Sequence, residues 1–414
     1  MFRLIVLAVL LADIAWWWRA DHLARRAQRP WLRLGVAAFM CLQLGLILWV
    51  FMARWLNTEL PQPHALVMAA VYLWHLLLLP ILLVTLIPWH TGRGLLALVG
   101  RFRTPRSTAD ANPQTQPAAP APTPAPAPTP TPALSLSRRA FLATAAVAAP
   151  PLATGGLSVY SHFNLQAFRI RALTLTLPTL PRELDGLTIA HVSDMHVGTF
   201  TDARLLRRIV EATNRLDADL VLLPGDLINN SLTDLPAALD AVRAMQPRHA
   251  TIMCVGNHDL IENGTEFIRR AKEKTTLLVD ESATIPIRGR DVQVLGLGWS
   301  RTDDALSRRV ASLATQVRPG AFPILLAHHP HAFDEAARQG IPLTLSGHTH
   351  GGQLMASDDA GFGPLLYRYW SGLYQKPEWN NAATVVSNGV GHWYPIRVNA
   401  PAEIIHLTLR SAQA

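Results

Sequence analysis

The sequence predicts a layered α/β fold for residues 160–414, preceded by a transmembrane region of helices. From Leu187 onward, short apolar runs alternate with stretches of helical periodicity, which is the pattern of a sheet covered by helices. Five of these runs are followed at once by polar side chains of the kinds that bind metals. Before residue 106, three stretches are long and apolar enough to cross a bilayer, which takes about 20 residues.

Charge divides the chain at the same place. Residues 1–159 hold 13 Lys and Arg against 4 Asp and Glu, whereas residues 160–414 hold 24 against 25. The predicted α/β domain is therefore near neutral, which excludes a basic groove for nucleic acid. The sequence has two cysteines, Cys41 in an apolar run and Cys254 beside a polar motif, so a disulfide framework is excluded.

The three predicted spans run over Leu4–Trp18, Leu34–Trp55 and Ala65–Trp89, within a transmembrane region of residues 1–106. The first is short enough to be a signal peptide, but no small-residue cleavage site follows it. Eleven of the 13 arginines in residues 1–159 lie between the first and second spans or after the third. The positive-inside rule therefore predicts that both of these segments are cytoplasmic and that the N-terminus is outside.

Residues 107–136 form a predicted linker rich in Pro, Ala and Thr, a composition that favours an extended polyproline II spacer. Residues 137–159 begin with the letters SRRAFL and continue as a mildly apolar helix. This segment is either a twin-arginine export signal or a fourth span, and Pro150 and Pro151 weaken it as a helix. Either interpretation places residues 160–414 outside the cytoplasm.

Each of five predicted strands ends in a polar motif. The strands are Leu187–Val192 (then SDMH), Asp219–Leu223 (then PGD), Thr251–Val255 (then GNHD), Pro323–Ala327 (then HHP) and Pro342–Leu345 (then SGHTH). Helical periodicity fills residues 203–216 and 237–245. Because ligands bind beyond the carboxyl ends of the strands in open α/β sheets, we expect the five motifs to converge on one site.

The motifs Asp-x-His, Gly-Asp, Gly-Asn-His-Asp, a lone His and Gly-His-x-His, in this order, resemble those of the calcineurin-like metallophosphoesterases. The run Ser346–Gln353 and the tail with Gly389, Gly391, Pro395-x-Arg397 and Glu403-Ile404 are similar to the bacterial membrane-associated branch of that superfamily. That branch includes twin-arginine-exported members and others similar to UDP-diacylglucosamine pyrophosphatases. The resemblance covers about Ala167 to Leu409 and implies a layered β-sandwich flanked by helices.

Carried over residue by residue, the resemblance implies two divalent metal ions bridged by Asp226. The first ion would be held by Asp194, His196, Asp226 and His350, and the second by Asp226, Asn257, His328 and His348. Imidazole and carboxylate ligands without thiolate suit Mn, Fe or Zn. His328 is preferred to His329 because the histidine of the family directly follows its strand.

The resemblance also implies the chemistry of the site. Two metal ions about 3.5–4 Å apart can clamp the attacking and leaving oxygens of a phosphoryl displacement, here by attack of metal-bound hydroxide on the phosphorus of a monoester or diester. The amide of Asn257 keeps the centre cationic, where a third aspartate would cancel that charge. His258 would protonate the leaving oxygen or stabilise transition-state charge. Asp259 would either orient His258 or cap a helix.

Two other functions remain open. A pyrophosphatase acting on a nucleotide-linked lipid such as UDP-diacylglucosamine would meet its substrate in the cytoplasm, against the predicted topology. A non-catalytic metal-binding membrane protein is a second alternative, but all seven ligand positions and His258 carry competent residues. We expect a phosphate-ester substrate that could be lipid-linked, a bacterial inner membrane location with a periplasmic domain, and no nucleic-acid partner. The aromatic residues within Gly352–Asn381 are expected to pack that long loop.

Overall fold

The computed structural model of the chain describes residues 2–55, 63–84, 138–357, 360–361 and 363–412. The chain forms two compact units, one of Met1–Gln62 with Ala70–Gly156 and one of Pro63–Ala69 with Leu157–Ala414. The predicted linker of residues 107–136 and the end of the third predicted span at Trp89 lie outside the described residues.

The helices of the N-terminal part begin with α1 (Phe2–Arg26), α2 (Pro30–Trp55) and α3 (Ala65–Tyr72), which continues as a π-helical turn over Leu73–Leu78. Helix α4 (Arg138–Asn164) follows the undescribed segment. Among the described residues, three helical stretches are long and apolar enough to cross a membrane: Pro30–Trp49, Ala65–Val84 and Arg138–Asn164. The second and third predicted spans therefore fall on candidate spans, as does the segment at 137–159.

Two expectations about these helices are modified. The first predicted span, Leu4–Trp18, lies in α1, which is not among the candidate spans of the described residues because it carries Asp13, Asp21 and several arginines. Helix α4 continues through Pro150 and Pro151. The hydroxyl of Thr154 donates to the Pro150 carbonyl at 2.9 Å, a bond from a side chain back to the preceding turn of the helix.

A buried polar cluster lies inside the first unit. Asp13 accepts a hydrogen bond from Trp74 Nε1 at 2.8 Å, and its other oxygen lies 3.0 Å from His75 Nε2. His75 Nδ1 lies 2.9 Å from the Val71 carbonyl, so Nδ1 must carry a hydrogen. Asp13 thus pairs with two polar side chains of a candidate membrane span, as is usual for ionisable groups at such positions.

Replacing Asp13 with alanine is expected to destabilise the first unit by about 1–2 kcal/mol, because Trp74 and His75 lose a buried partner. Asp21→Ala is the matched control, since Asp21 pairs with Arg25 and Arg33 at the surface and such pairs contribute about 0–1 kcal/mol. SDS-induced unfolding of the detergent-solubilised full chain, followed by circular dichroism, measures both. Equal losses for the two variants would contradict a specific role for the cluster.

The second unit contains two six-stranded sheets. The first has the order β1–β14–β2–β3–β4–β5, in which β2 to β5 are parallel. Its strands are β1 (Phe168–Leu177), β2 (Thr188–His191), β3 (Leu220–Leu223), β4 (Ala250–Cys254), β5 (Thr276–Leu278) and β14 (Ala402–Ser411). Strand β14 pairs parallel with β1 and antiparallel with β2, so it lies between these two strands and β1 forms the edge of the sheet.

The second sheet has the order β12–β13–β9–β8–β7–β6, with a parallel centre and antiparallel edges. Its strands are β6 (Glu281–Ile287), β7 (Arg290–Gly296), β8 (Phe322–Leu326), β9 (Leu343–Ser346), β12 (Gly372–Lys376) and β13 (Ala382–Val386). A short antiparallel pair, β10 (Met355–Ser357) and β11 (Ala360–Gly361), lies apart from both sheets.

The two sheets pack face to face on one apolar core that includes Leu222 from the first sheet and Ile324 from the second, both fully buried. Helices cover the outer faces. Those are α5 (Ala203–Arg215), α6 (Leu235–Ala244) and α7 (Gly264–Lys274) on the first sheet, and α8 (Asp303–Ala314) and α9 (Ala332–Arg338) on the second. The short helix α10 (Gly363–Leu366) follows β11. The mixed α/β fold predicted from the sequence is therefore observed, with largely parallel sheets.

Candidate metal centre

The five predicted motifs lie at the carboxyl ends of β2, β3, β4, β8 and β9. Three of these strands belong to the first sheet and two to the second, so the motifs meet where the two sheets end side by side. Glycines permit the close approach: a Cβ at Gly256 would lie 2.1 Å from Asp226 Oδ1, and one at Gly347 would lie 2.1 Å from Asp194 Oδ2.

Five of the converging residues have left-handed backbone conformations, which are uncommon outside glycine. They are Asp194 (φ 54°), His196 (φ 43°), Asp226 (φ 54°), His348 (φ 73°) and His350 (φ 49°). Each lies just beyond a strand, where the backbone turns sharply and aims the side chain across the strand ends. Clustering of such costly conformations is typical of functional sites, because the surrounding fold must hold them in place.

The first group of donor atoms comes from Asp194, His196 and His350, all buried. His196 Nε2 lies 3.0 Å from His350 Nε2. Asp194 Oδ1 lies 3.2 Å from His350 Nε2 and 3.8 Å from His196 Nε2. Three donor atoms thus point at one small volume.

The second group comes from Asp226, Asn257, His328 and His348. His328 Nε2 lies 3.0 Å from Asp226 Oδ2 and 3.3 Å from His348 Nδ1. His348 Nδ1 also lies 2.9 Å from the amide oxygen of Asn257. Of the two adjacent histidines after β8, His328 contributes a donor atom to this group, whereas His329 packs its ring 4.6 Å from that of His331.

Asp226 lies between the two groups, because its Oδ2 is also 3.5 Å from His196 Nε2. All seven residues predicted as ligands are therefore brought together. The donor set fits divalent cations: ring nitrogens that face one another at 3.0 and 3.3 Å need an interposed proton or cation, and the two carboxylates supply negative charge. The Asp/His clusters of the structure could thus hold metal ions, as predicted.

The electrostatics of the site favour neutral imidazoles at most positions. Burial lowers the pKa of His348 to about 2, with the neighbouring His328 adding to the effect. Burial likewise lowers the pKa of His196 and His350. His328 differs: burial acts to lower its pKa, but the hydrogen bond to Asp226 and the attraction of the Asp226 and Asp194 carboxylates together outweigh burial and raise the pKa to about 9. A cation that binds at His328 must therefore displace a proton from this ring.

His258 lies beside the first group. Its Nδ1 is 2.5 Å from the Asn229 carbonyl and so carries a hydrogen, which leaves Nε2 as the nitrogen that can take up a second proton. The ring centroid lies 4.6 Å from that of His196, and the backbone N–H of His258 donates to Asp226 at 2.8 Å. His258 is thus fixed in orientation next to the predicted ligands.

Asp259 has different contacts from those predicted. Its carboxylate accepts backbone N–H bonds from Gly256 (2.9 Å), Asp226 (3.0 Å), Leu227 (2.8 Å) and Ile228 (3.1 Å). The Asn229 carbonyl, and not Asp259, is the group that contacts the His258 ring nitrogen. Asp259 therefore stabilises the loop that carries Asp226. These contacts join residues more than 30 positions apart, so the position of Asp259 after β4 did not predict them.

The sequence analysis assigned no role to Arg397, which is buried behind the first group. Its Nη2 lies 3.0 Å from His350 Nδ1 and donates to the Gly391 carbonyl at 2.8 Å, while Nη1 donates to the Asn388 carbonyl at 2.7 Å. Its Nε lies 3.2 Å from His392 Nδ1. The available signal was the Pro395-x-Arg397 motif. Arg397 therefore connects the Nδ1 side of the His350 ring, which faces away from the other donor atoms, to the loop after β13.

Replacing Arg397 with lysine is expected to weaken metal binding roughly 10–100-fold, because a lysine cannot reproduce these directed hydrogen bonds and groups behind metal ligands have effects of that size. Competition with a fluorescent chelator measures the affinity. Arg318→Lys at an exposed position is the matched control. Unchanged affinity in a folded Arg397→Lys protein would contradict the positioning role.

Aromatic side chains surround the centre. The Trp299 ring lies 5.2 Å from that of His348, Tyr367 lies 5.7 Å from His348, and Trp393 lies 5.9 Å from His258. Within the long loop, Tyr369 and Trp370 are buried, in agreement with the packing interpretation. Tyr367 differs from them because it borders the predicted ligands.

Several known proteins are similar in sequence to this chain. Residues 187–352 match the family described as calcineurin-like phosphoesterase. A transmembrane protein with metallophosphoesterase domain from Danio rerio is 29% identical over 276 residues, which are 63% of this chain and 61% of that protein. A metallophosphoesterase of Helicobacter pylori is 29% identical over 251 residues, which are 58% of this chain and 64% of that protein. The metallophosphoesterase YkuE of Bacillus subtilis is 29% identical over 297 residues, which are 67% of this chain and 98% of YkuE.

The matched part of the chain thus spans less than two thirds of the Danio and Helicobacter relatives. Among solved structures, a sulfate thiohydrolase SoxB of Thermus thermophilus superposes with a TM-score of 0.28 and is 14% identical in sequence. The superposition covers 56% of this chain and 53% of SoxB, and the two structures differ substantially. The family match and the names of the relatives support a hydrolase acting on phosphoric esters.

Proposed function

We propose that this chain, which carries a calcineurin-like metallophosphoesterase domain, is a two-metal hydrolase of phosphate monoesters or diesters at a membrane. The observation that supports the proposal best is the convergence of seven donor side chains from five strand ends, with Asp226 between two groups of donors. A purely structural metal site needs four ligands in a closed shell, whereas two adjoining groups that share a carboxylate are typical of phosphoester hydrolases.

The predicted ligand sets assign one ion to Asp194, His196, Asp226 and His350 and the other to Asp226, Asn257, His328 and His348. When bound, two divalent cations supply Lewis-acid polarisation of the phosphoryl group and acidify water. Two carboxylates and one neutral amide leave the loaded centre with net positive charge, which attracts an anionic phosphate ester.

His258 supplies the proton chemistry. The Asn229 carbonyl holds Nδ1–H, so the protonated ring presents Nε2–H beside Asp226 and His196. From there it donates a proton to the oxygen of the departing alcohol, or stabilises charge on that oxygen. Trp299, Tyr367 and Trp393 border the site and exclude part of the surrounding water, which strengthens these electrostatic effects.

The proposal is tested by turnover of a soluble aryl phosphate monoester and diester. The purified full chain is stripped with a chelator and reloaded with Mn²⁺, Zn²⁺ or Fe²⁺. Turnover is expected only after reloading, and the ratio of diester to monoester rates identifies the preferred class. A protein that binds metal at these residues but turns over neither ester with any metal would instead be a non-catalytic metal-binding protein.

We also propose that the domain lies on the extracytoplasmic side of a bacterial inner membrane, reached either through α4 as a span or by twin-arginine export. The distribution of arginines and the candidate spans support this topology. The alternative, a pyrophosphatase for a nucleotide-linked lipid such as UDP-diacylglucosamine, requires a cytoplasmic site.

Cysteine labelling in intact cells tests the topology. The background is Cys41→Ser, since Cys41 is exposed and Cys254 is buried. A membrane-impermeant maleimide is expected to label Ala412→Cys, an exposed position after β14, and to leave a cysteine at Ala121 in the linker unlabelled until the cells are opened. Protection of both positions would place the domain in the cytoplasm and favour the pyrophosphatase alternative.

A further inference from the structure

An apolar turn is exposed beside the candidate metal centre. In α10, three consecutive apolar residues face solvent: Pro364, Leu365, which is 78% exposed, and Leu366, which is 71% exposed. Adjacent leucines with this much exposed surface are unfavourable in water and mark an interaction surface when they lie at a functional site. We name these three residues the apolar turn.

The residues on either side of the apolar turn place it at the border of the centre. Tyr367 directly follows it, and the Tyr367 ring lies 5.7 Å from that of His348. On its other side, Gly363 packs so closely on Trp370 that a Cβ there would lie 2.2 Å from the indole. The Trp370 carbonyl in turn accepts a bond from the Thr349 hydroxyl at 2.6 Å, between the two predicted ligands His348 and His350.

The same unit contains the end of a candidate membrane span. Residues Leu157–Asn164, the last turns of α4, belong to the second unit. There Tyr160 and Asn164 line a cavity of about 590 Å³ together with Arg397 and with Ser357 of β10. Arg397 also contacts the predicted ligand His350, so its side chain lies between the lining of this cavity and the candidate metal centre.

The side chains at this end fit a membrane boundary. Phe163 is 78% exposed and Tyr160 is 44% exposed, and aromatic residues at the end of a span favour the interface between lipid and water. Residues at the end of α4 and Ser357 line the same cavity. Helix α10 begins six residues after Ser357, at Gly363. The bilayer surface is therefore the partner that the position of the apolar turn favours.

We infer that the apolar turn docks on the bilayer surface and presents the metal centre to phosphoesters of membrane lipids at the headgroup layer. The docking is inferred from the exposed side chains of the apolar turn and from its position beside the centre. The lipid substrate class rests in addition on the proposed function. The leucines would enter the boundary between headgroups and acyl chains, where amphipathic segments reach a depth of about 5–10 Å. A lipid phosphate lies at that boundary and would need no extraction from the bilayer.

Site-specific fluorescence tests the docking without any need for activity. The full chain in the Cys41→Ser background is reconstituted in nanodiscs of phosphatidylcholine and phosphatidylglycerol, and Leu365→Cys is labelled with an environment-sensitive dye. Asp291→Cys is the control, because Asp291 is exposed at the opposite end of β7 from the centre. Doxyl-labelled lipid is expected to quench the dye at least threefold at position 365 and not at 291. Equal quenching at the two positions would overturn the docking.

Turnover tests the substrate class. Vesicles containing phosphatidic acid or phosphatidylglycerol are compared with a soluble aryl phosphate. The double variant Leu365→Ser with Leu366→Ser is expected to lower the ratio of vesicle to soluble turnover at least tenfold, and Leu365→Ile with Leu366→Ile to retain it. An unchanged ratio, or soluble turnover without vesicle turnover, would overturn the lipid class. Absence of both activities in the unmodified, metal-loaded chain would overturn the proposed function, while the quenching result would still decide the docking.

Discussion

Replacing Asp226 with alanine is expected to abolish turnover and to remove more than one equivalent of bound metal. Its Oδ2 lies 3.0 Å from His328 Nε2 and 3.5 Å from His196 Nε2, so one carboxylate serves both groups of donors. Without it, two buried groups of imidazoles lose the negative charge that offsets two dications. Metal analysis of the purified protein together with aryl phosphate turnover measures both effects.

Asp219→Ala is the matched control for that variant. Asp219 is a buried aspartate just before the same strand β3, where it accepts bonds from Thr188 and pairs with Arg248 and Arg288. Its loss should lower stability but leave the metal content unchanged. Asp226→Asn, which keeps the shape of the side chain, should also lose metal. A folded Asp226→Ala protein with full metal content and turnover would remove the bridging assignment.

Replacing His258 with alanine is expected to lower kcat by roughly 10²–10⁴ while the metal content stays at the wild-type level, which is the usual effect of losing a general acid. The reason is positional: the Asn229 carbonyl holds the ring so that Nε2 carries the exchangeable proton next to the centre. Single-turnover kinetics with an aryl phosphate and metal analysis of the same sample check the two parts of the expectation.

The metal content decides between two roles for His258, because its ring also lies within ligand distance of the His196 and Asp226 donor atoms. Loss of one metal equivalent in His258→Ala would make it a ligand. An aryl phosphate with a more acidic leaving group should recover part of the lost rate if His258 is a proton donor. His249→Ala, at an exposed histidine before β4, is the control and should match the wild type.

The site-forming strands could be predicted because parallel strands buried on both faces are short continuous apolar runs. Strands β3 and β4 begin and end within one residue of the predicted runs, and the motif after each of the five strands has the predicted neighbours. The order of the motifs then determined which side chains meet, since carboxyl ends of adjacent parallel strands share one edge.

Contacts between distant segments could not be predicted in the same way. Arg397 reaches His350 only because the loop after β13 folds behind the centre, and no local pattern encodes that path. The four N–H bonds of Asp259 depend on the exact turn after β3. Similarly, the pairing of Asp13 with Trp74 and His75 requires the packing of helices far apart in sequence. The parallel pairing of β1 with β14 joins the two ends of the unit.

Metal titration of the chelator-treated full chain, with bound metal and aryl phosphate turnover followed in the same sample, tests the central claim most directly. Two equivalents of Mn²⁺ are expected to bind at the seven converging residues, with turnover rising mainly as the second equivalent binds. Turnover that persists in the chelated protein, or that saturates with a single equivalent, would contradict a two-metal phosphoesterase centre.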